Sequence, residues 1–115
     1  MVIVKRSEVV LADLGNTTGH EQSKIRPVII IQENISNMYS TVTIVMPLTS
    51  NISERDRPSN VFISPAKNGL KKPSLALSNQ IRVIDKRKII KPLGFISDAD
   101  MERIDNALKR ILGLD

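Results

Sequence analysis

Pro27-Val28-Ile29-Ile30-Ile31-Gln32 places four β-branched residues in a row behind a single proline. A continuous run of that kind predicts a strand in the middle of a sheet, covered on both faces. Upstream lies a polar segment, Gly15-Asn-Thr-Thr-Gly-His-Glu-Gln-Ser-Lys-Ile25. At eleven residues it is long for a hairpin loop, and such loops tend to carry function. Before it, Glu8–Leu14 reads as a short strand entered through Ser7. Downstream, Glu33–Tyr39 reads as a turn rich in Asn and Ser. Ser40–Thr49 alternates, with Val42, Ile44, Met46 and Leu48 on one face and Thr41, Thr43, Val45 and Thr49 on the other. Pro47 predicts an edge position or a bulge there.

Further outward, Ser50–Pro58 is a charged loop. Val61–Ser64, Leu75–Ser78 and Gln80–Ile84 are expected short strands, and Pro92–Ile96 a weaker one. The one expected helix covers Asp98–Leu112. Ser97 is its N-cap, Met101, Ile104, Leu108, Ile111 and Leu112 form its apolar stripe, and Gly113 is its stop. Many short strands plus one helix predict a mainly β, β-rich α+β fold: a small antiparallel barrel or half-barrel with the helix packed across it.

With 115 residues the chain is expected to form one domain over 1–115. Aromatic residues are 3% of the chain, so the core must come from Ile, Val and Leu, and many base-stacking platforms are excluded. There is no cysteine, which excludes disulfides and thiolate metal sites. No long apolar run or leader pattern appears, so no membrane contact and a cytoplasmic location are expected. The net charge is +5, and residues 1–97 hold 14 Lys/Arg against 7 Asp/Glu. That excess favours a polyanionic partner.

One histidine cannot support a two-histidine ribonuclease mechanism or a common zinc site. The carboxylates Asp13, Glu21, Glu33 and Asp85 are scattered singly, which argues against a two-metal nuclease; no metal or cofactor is expected. What remains is polar and basic chemistry at strand ends: Arg26, Thr49, Gln80 and Arg82. A guanidinium fork and a hydroxyl can stabilise charge on a phosphoryl group attacked by a neighbouring 2′-hydroxyl. The same residues also fit a surface arginine and a threonine chosen for strand propensity.

Gly19-His-Glu-Gln-Ser-Lys-Ile-Arg-Pro-Val28 closely resembles the Gly-x-Glu-Gln-x-x-x-Arg-Pro-x signature of the MazF/PemK/Kid toxins, in particular their Gram-positive branch. The likeness extends through Glu8–Leu14, the strand ending at Gln32, Thr49, Gln80-Ile-Arg82, Asp85-Lys86 and the helix leading into Leu112-Gly-Leu114. It implies an SH3-like barrel of the MazF/Kid/CcdB type and the toxin of a type II toxin–antitoxin system. The activity implied is a sequence-specific, metal-independent endoribonuclease, an mRNA interferase that inhibits growth. Its products from single-stranded mRNA would be 2′,3′-cyclic phosphate and 5′-hydroxyl ends. The implied partners are a second copy, giving a homodimer, and a MazE-like antitoxin whose tail fills the RNA groove.

Carried over by motif position, Arg26 and Thr49 are the implied catalytic pair. His20, Glu21, Gln22, Gln80 and Arg82 are the implied RNA contacts. His20 departs from the small serine of similar members, and Ser78-Asn79 stands where relatives often have an acidic residue. Two other readings use the same fold: a CcdB-like toxin that binds DNA gyrase and cuts nothing, and a catalytically silent RNA- or protein-binding barrel. The dimer is expected to use the loop-linked strands, an apolar sheet edge around Ser40–Thr49 and the C-terminal helix.

Overall fold

A computed structural model describes residues 3–16, 19, 21–22, 24–66 and 68–114. Its strands are β1 (Glu8–Asp13), β2 (Ile25–Ile30), β3 (Val42–Thr49), β4 (Asn60–Ile63), β5 (Ser74–Leu77), β6 (Arg82–Asp85) and β7 (Ile89–Phe95). Two α-helices, α1 (Asn34–Tyr39) and α2 (Asp98–Ile111), and two 3₁₀ turns, Ser78–Gln80 and Lys86–Lys88, complete the described residues. The sheet runs β4-β5-β3-β2-β1-β7 with β6 also on β3, and the pairings are antiparallel. The β-rich class and the C-terminal helix are therefore as expected.

β2 is the covered central strand that its composition predicts. Val28 and Ile30 enter one apolar cluster with Val10, Ala12, Val45 and Ile84, while Ile29 enters another with Met46, Leu48 and Ile63. Helix α2 caps the second cluster with Met101, Ile104 and Ala107. Ile111 and Leu112, assigned to the same stripe, are exposed. Ser97 is the N-cap, accepting from the Asp100 N–H at 3.3 Å, and Gly113 ends the helix at φ +72°.

Three local expectations are corrected. Glu33–Tyr39 is not a turn but holds α1, capped by the Glu33 carboxylate, which accepts from the Ser36 and Ile35 N–H groups at 2.6 and 2.9 Å. Glutamate is not among the favoured N-cap residues, so the cap is hard to see in sequence. Gln80 closes a 3₁₀ turn, Ser78–Gln80, and the strand begins only at Arg82. Pro47 is not on an edge: β3 has neighbours on both sides and offers no free edge for a dimer contact. On one side β3 pairs with β6 over Val42–Val45 and with β5 at Leu48 and Thr49. Pro47 falls between those two ladders, where a missing N–H costs nothing.

The path of the sheet stays open between β4 and β7. Their gap is bridged by backbone contact, with Gly69, in the turn after β4, against Gly94 of β7; a Cβ built on either would lie 2.9 Å from the other's Cα. Beside it, Asn68 is almost wholly buried, at 1% exposure, and fully bonded. Its amide donates to Ser64 O (2.8 Å), Ala66 O (3.2 Å) and the Asp100 carboxylate (2.9 Å), and its oxygen accepts from Ser97 N–H (2.8 Å). One side chain thus ties the β4–β5 turn to the start of α2.

Burial raises the Asp100 carboxyl, but donation from Asn68 and Arg103, and the Arg103 charge, outweigh it and leave Asp100 below its ordinary value. A carboxylate depressed in the folded state stabilises the fold above its unfolded pKa, about 3.9, and loses that contribution on acidification. Stability is therefore expected to fall as pH drops below about 4. Asp100→Asn should flatten that fall, as measured by urea titration at successive pH values.

Candidate active site

The ladder between β2 and β3 covers Val28↔Pro47, Ile29↔Met46 and Ile30↔Val45. Its next positions would be Pro27 with Leu48 and Arg26 with Thr49. Pro27 has no N–H to continue the ladder. The two strands therefore part at this end, and a cleft of about 660 Å³ opens between them, lined by Arg26, Pro27, Leu48 and Thr49. Two prolines that look like strand-breakers in the sequence mark where pairing stops and the site begins.

The other walls of the cleft come from Leu11 of β1, Lys91 and Leu93 of β7, and Leu70, Lys71 and Lys72 of the turn held by Asn68. Among the described residues its lining therefore carries four cations, Arg26, Lys71, Lys72 and Lys91, and no carboxylate. Arg26 is half-buried, and that burial pushes its guanidinium below its ordinary value. A guanidinium nevertheless stays charged in a protein. The Thr49 hydroxyl accepts from the Asn51 N–H at 3.2 Å, which leaves its proton for a ligand.

Thr49 also lines a second cleft of about 570 Å³, together with Gln22, Asn51, Asn79 and Gln80. Gln80 and Arg82, read as groove residues, act on the long loop itself. Gln80 Oε1 accepts from Gln22 N–H at 2.7 Å. Arg82 donates to Gln22 O (3.2 Å) and Leu14 O (3.1 Å), clamping both ends of the loop. Glu21 is exposed and lines neither cleft. His20 lies outside the described residues.

Arg26 and Thr49 are thus brought to one cleft, Gln22 and Gln80 to its neighbour, and Arg82 behind the loop. Lys71, Lys72 and Lys91 had no signal of their own in the sequence beyond the general basic excess. Among the described residues, no group of three or more His, Cys, Asp or Glu is placed to hold a metal ion, and no helix is long and apolar enough to cross a membrane.

Residues 5–112 match the family described as PemK-like, MazF-like toxin of type II toxin-antitoxin system. The chain is 41% identical over 113 residues to Endoribonuclease MazF of Staphylococcus epidermidis, covering 98% of this chain and 94% of that one. In fold it is similar to MazF (Form-I) from Deinococcus radiodurans, with a TM-score of 0.85 at 18% identity over 99% of this chain and 100% of that one. It is also similar to an endoribonuclease in complex with its cognate antitoxin from a mycobacterial species, with a TM-score of 0.79 at 24% identity over 100% and 98% of the two chains.

Proposed function

The chain belongs to the PemK-like, MazF-like toxin family of type II toxin–antitoxin systems, and from that premise we propose that it is an endoribonuclease cutting single-stranded mRNA where Arg26 and Thr49 meet. The observation that carries this reading is their shared cleft with its lysine walls and, among the described residues, no carboxylate. A polyanion enters such a cleft readily, and phosphate contacts from Lys and Arg supply most of the affinity for a nucleic-acid strand.

The reaction uses a nucleophile that belongs to the substrate. The 2′-hydroxyl oxygen attacks the adjacent phosphorus, its proton passing to water. The phosphorus–O5′ bond breaks, and O5′ leaves as a 5′-hydroxyl after taking up a proton, while the upstream fragment keeps a 2′,3′-cyclic phosphate. Arg26 binds two phosphoryl oxygens through its fork and stabilises the negative charge that builds on them. Thr49 donates to the phosphate and holds it in line for attack. This division of labour needs no metal, because fixed cations meet the charge and the RNA brings its own hydroxyl. Gln80 and Arg82 shape the loop that presents Glu21 and Gln22.

Two partners complete the reading. A second copy of the chain forms a homodimer, checked by sedimentation at micromolar concentration, where a monomer would count against it. A MazE-like antitoxin places its tail across the cationic cleft and blocks RNA. Its site of action is the cytoplasm, where mRNA is found.

The test is a gel assay of purified protein with a long single-stranded RNA in excess EDTA. Cleavage is expected to persist and to give 5′ ends that a polynucleotide kinase labels without prior phosphatase treatment. Loss of cutting in EDTA, or 5′-phosphate ends, would overturn the proposal.

A further inference from the structure

We propose that the second cleft, on the far side of Thr49, is a nucleobase pocket and that the Asn79 amide selects which base it accepts. The inference rests on the RNA-cleaving reading above and adds to it the determinant of sequence choice. The two clefts that meet at Thr49 differ in chemistry as the two parts of a nucleotide do. The first is cationic and, among the described residues, free of carboxylates. The second has an apolar floor, Leu75 and Leu77, at alternate positions of β5, and Leu75 stands directly across the ladder from Thr49. Its rim is mostly side-chain amides and hydroxyls, and its two charged residues, Glu54 and Arg57, are paired with each other. A flat heteroaromatic ring with a polar edge fits an apolar floor and an amide rim. A phosphodiester fits four cations.

Most of the rim is already engaged. Gln80 Oε1 accepts from Gln22 N–H, the Asn60 amide donates to Glu54 O (3.0 Å), and Asn51 Oδ1 accepts from Ser53 N–H (3.1 Å). Asn79 differs: it is exposed, and among the described residues no hydrogen bond engages its side chain. Its backbone is nonetheless fixed, because neighbouring Ser78 bonds Ser59 O through both its N–H (3.0 Å) and its hydroxyl (2.6 Å). An open amide on a fixed turn is a reading head. It presents one donor and one acceptor side by side, which matches base edges that offer an acceptor beside a donor. A carboxylate offers two acceptors, and the edge that matches it is that of guanine, with the N1 and N2 hydrogens adjacent.

The experiment sequences the cut ends of a random RNA pool after digestion by the wild-type protein, Asn79→Ala and Asn79→Asp, and measures rates on oligonucleotides varied at the implicated position. The wild type is expected to show a base preference beside the cut. Asn79→Ala should weaken that preference at one position by about tenfold to a hundredfold and leave the others in place. Asn79→Asp should raise guanine at the same position by a similar factor. Identical cut-site profiles for all three proteins, or a rate loss uniform over all sequences, would overturn the pocket while leaving the endoribonuclease reading intact. A wild-type protein that cuts no RNA would overturn both.

Discussion

Arg26→Ala cuts single-stranded RNA on the order of a thousandfold more slowly than the wild type, with its melting temperature unchanged. The size of the effect follows from where the guanidinium sits. It is half-buried at the end of β2, in a cleft whose other cations are lysines, which lack its planar fork. Single donors aimed at charge that develops in a transition state are each worth about a hundredfold to a thousandfold, and an arginine on a transferring phosphoryl group more. Arg26→Lys keeps the charge but loses the fork, so it should recover only part of the rate. Thr49→Ala should lose about a hundredfold, and Thr49→Ser should keep most of the activity because it keeps the hydroxyl. The double variant should be less impaired than the product of the singles, since both groups act on one phosphate. Single-turnover rates on a labelled oligonucleotide measure all of these. Arg26→Ala cutting at the wild-type rate would remove this residue from the chemistry.

Gly94→Ala is the second large effect, on stability rather than on rate. The new Cβ would stand 2.9 Å from the Cα of Gly69, and Gly94 has φ +156°, where a side chain is strained. Backbone cannot swing aside as a side-chain tip can, so β7 and the β4–β5 turn must separate. The expected cost is about 2–4 kcal/mol, or a fall of about 8–15 °C in the melting temperature. Gly69→Ala meets the same contact from the other side. Because either substitution already parts the two backbones, the pair should cost less than the sum of the singles. Gly15→Ala is the control: it has φ +69° but open space around it, so it should cost only about 1–2 kcal/mol of backbone strain. Gly94→Ala melting within 2 °C of the wild type, roughly 0.5 kcal/mol, would mean that the contact is soft.

What the sequence made legible follows from how local each signal is. Ser97 and Gly113 bracket α2 by bonds to their own neighbours, so they can be read from the chain alone. β2 is readable because its apolar run serves both faces at once. Other features depend on partners distant in sequence. Pro47 looks like an edge residue until β6 and β5 are seen to share one side of β3. Asn68 looks like an ordinary loop asparagine until Asp100 and Ser97, about thirty residues on, take up its amide. Arg26 and Thr49, which line one cleft, are singled out in the sequence by the motif. The lysines that accompany them are not, since the turn that carries Lys71 and Lys72 is placed by Asn68 and by the contact between two glycines. Gln80 and Arg82 read as groove residues; nothing in the sequence signals that they also brace the loop backbone at Gln22 and Leu14, because those partners lie about sixty residues away.

The pairing of β1 with β7, Val9 opposite Gly94, has a consequence for synthesis. Contacts this distant along the chain form late and slowly. A nascent chain leaving the ribosome has β1 to β6 available but lacks Lys91 and Leu93, one wall of the cleft, and the α2 residues that close the second apolar cluster. The cleft is therefore incomplete until β7 joins β1, so it is assembled by pairing between strands far apart in sequence rather than by a local turn.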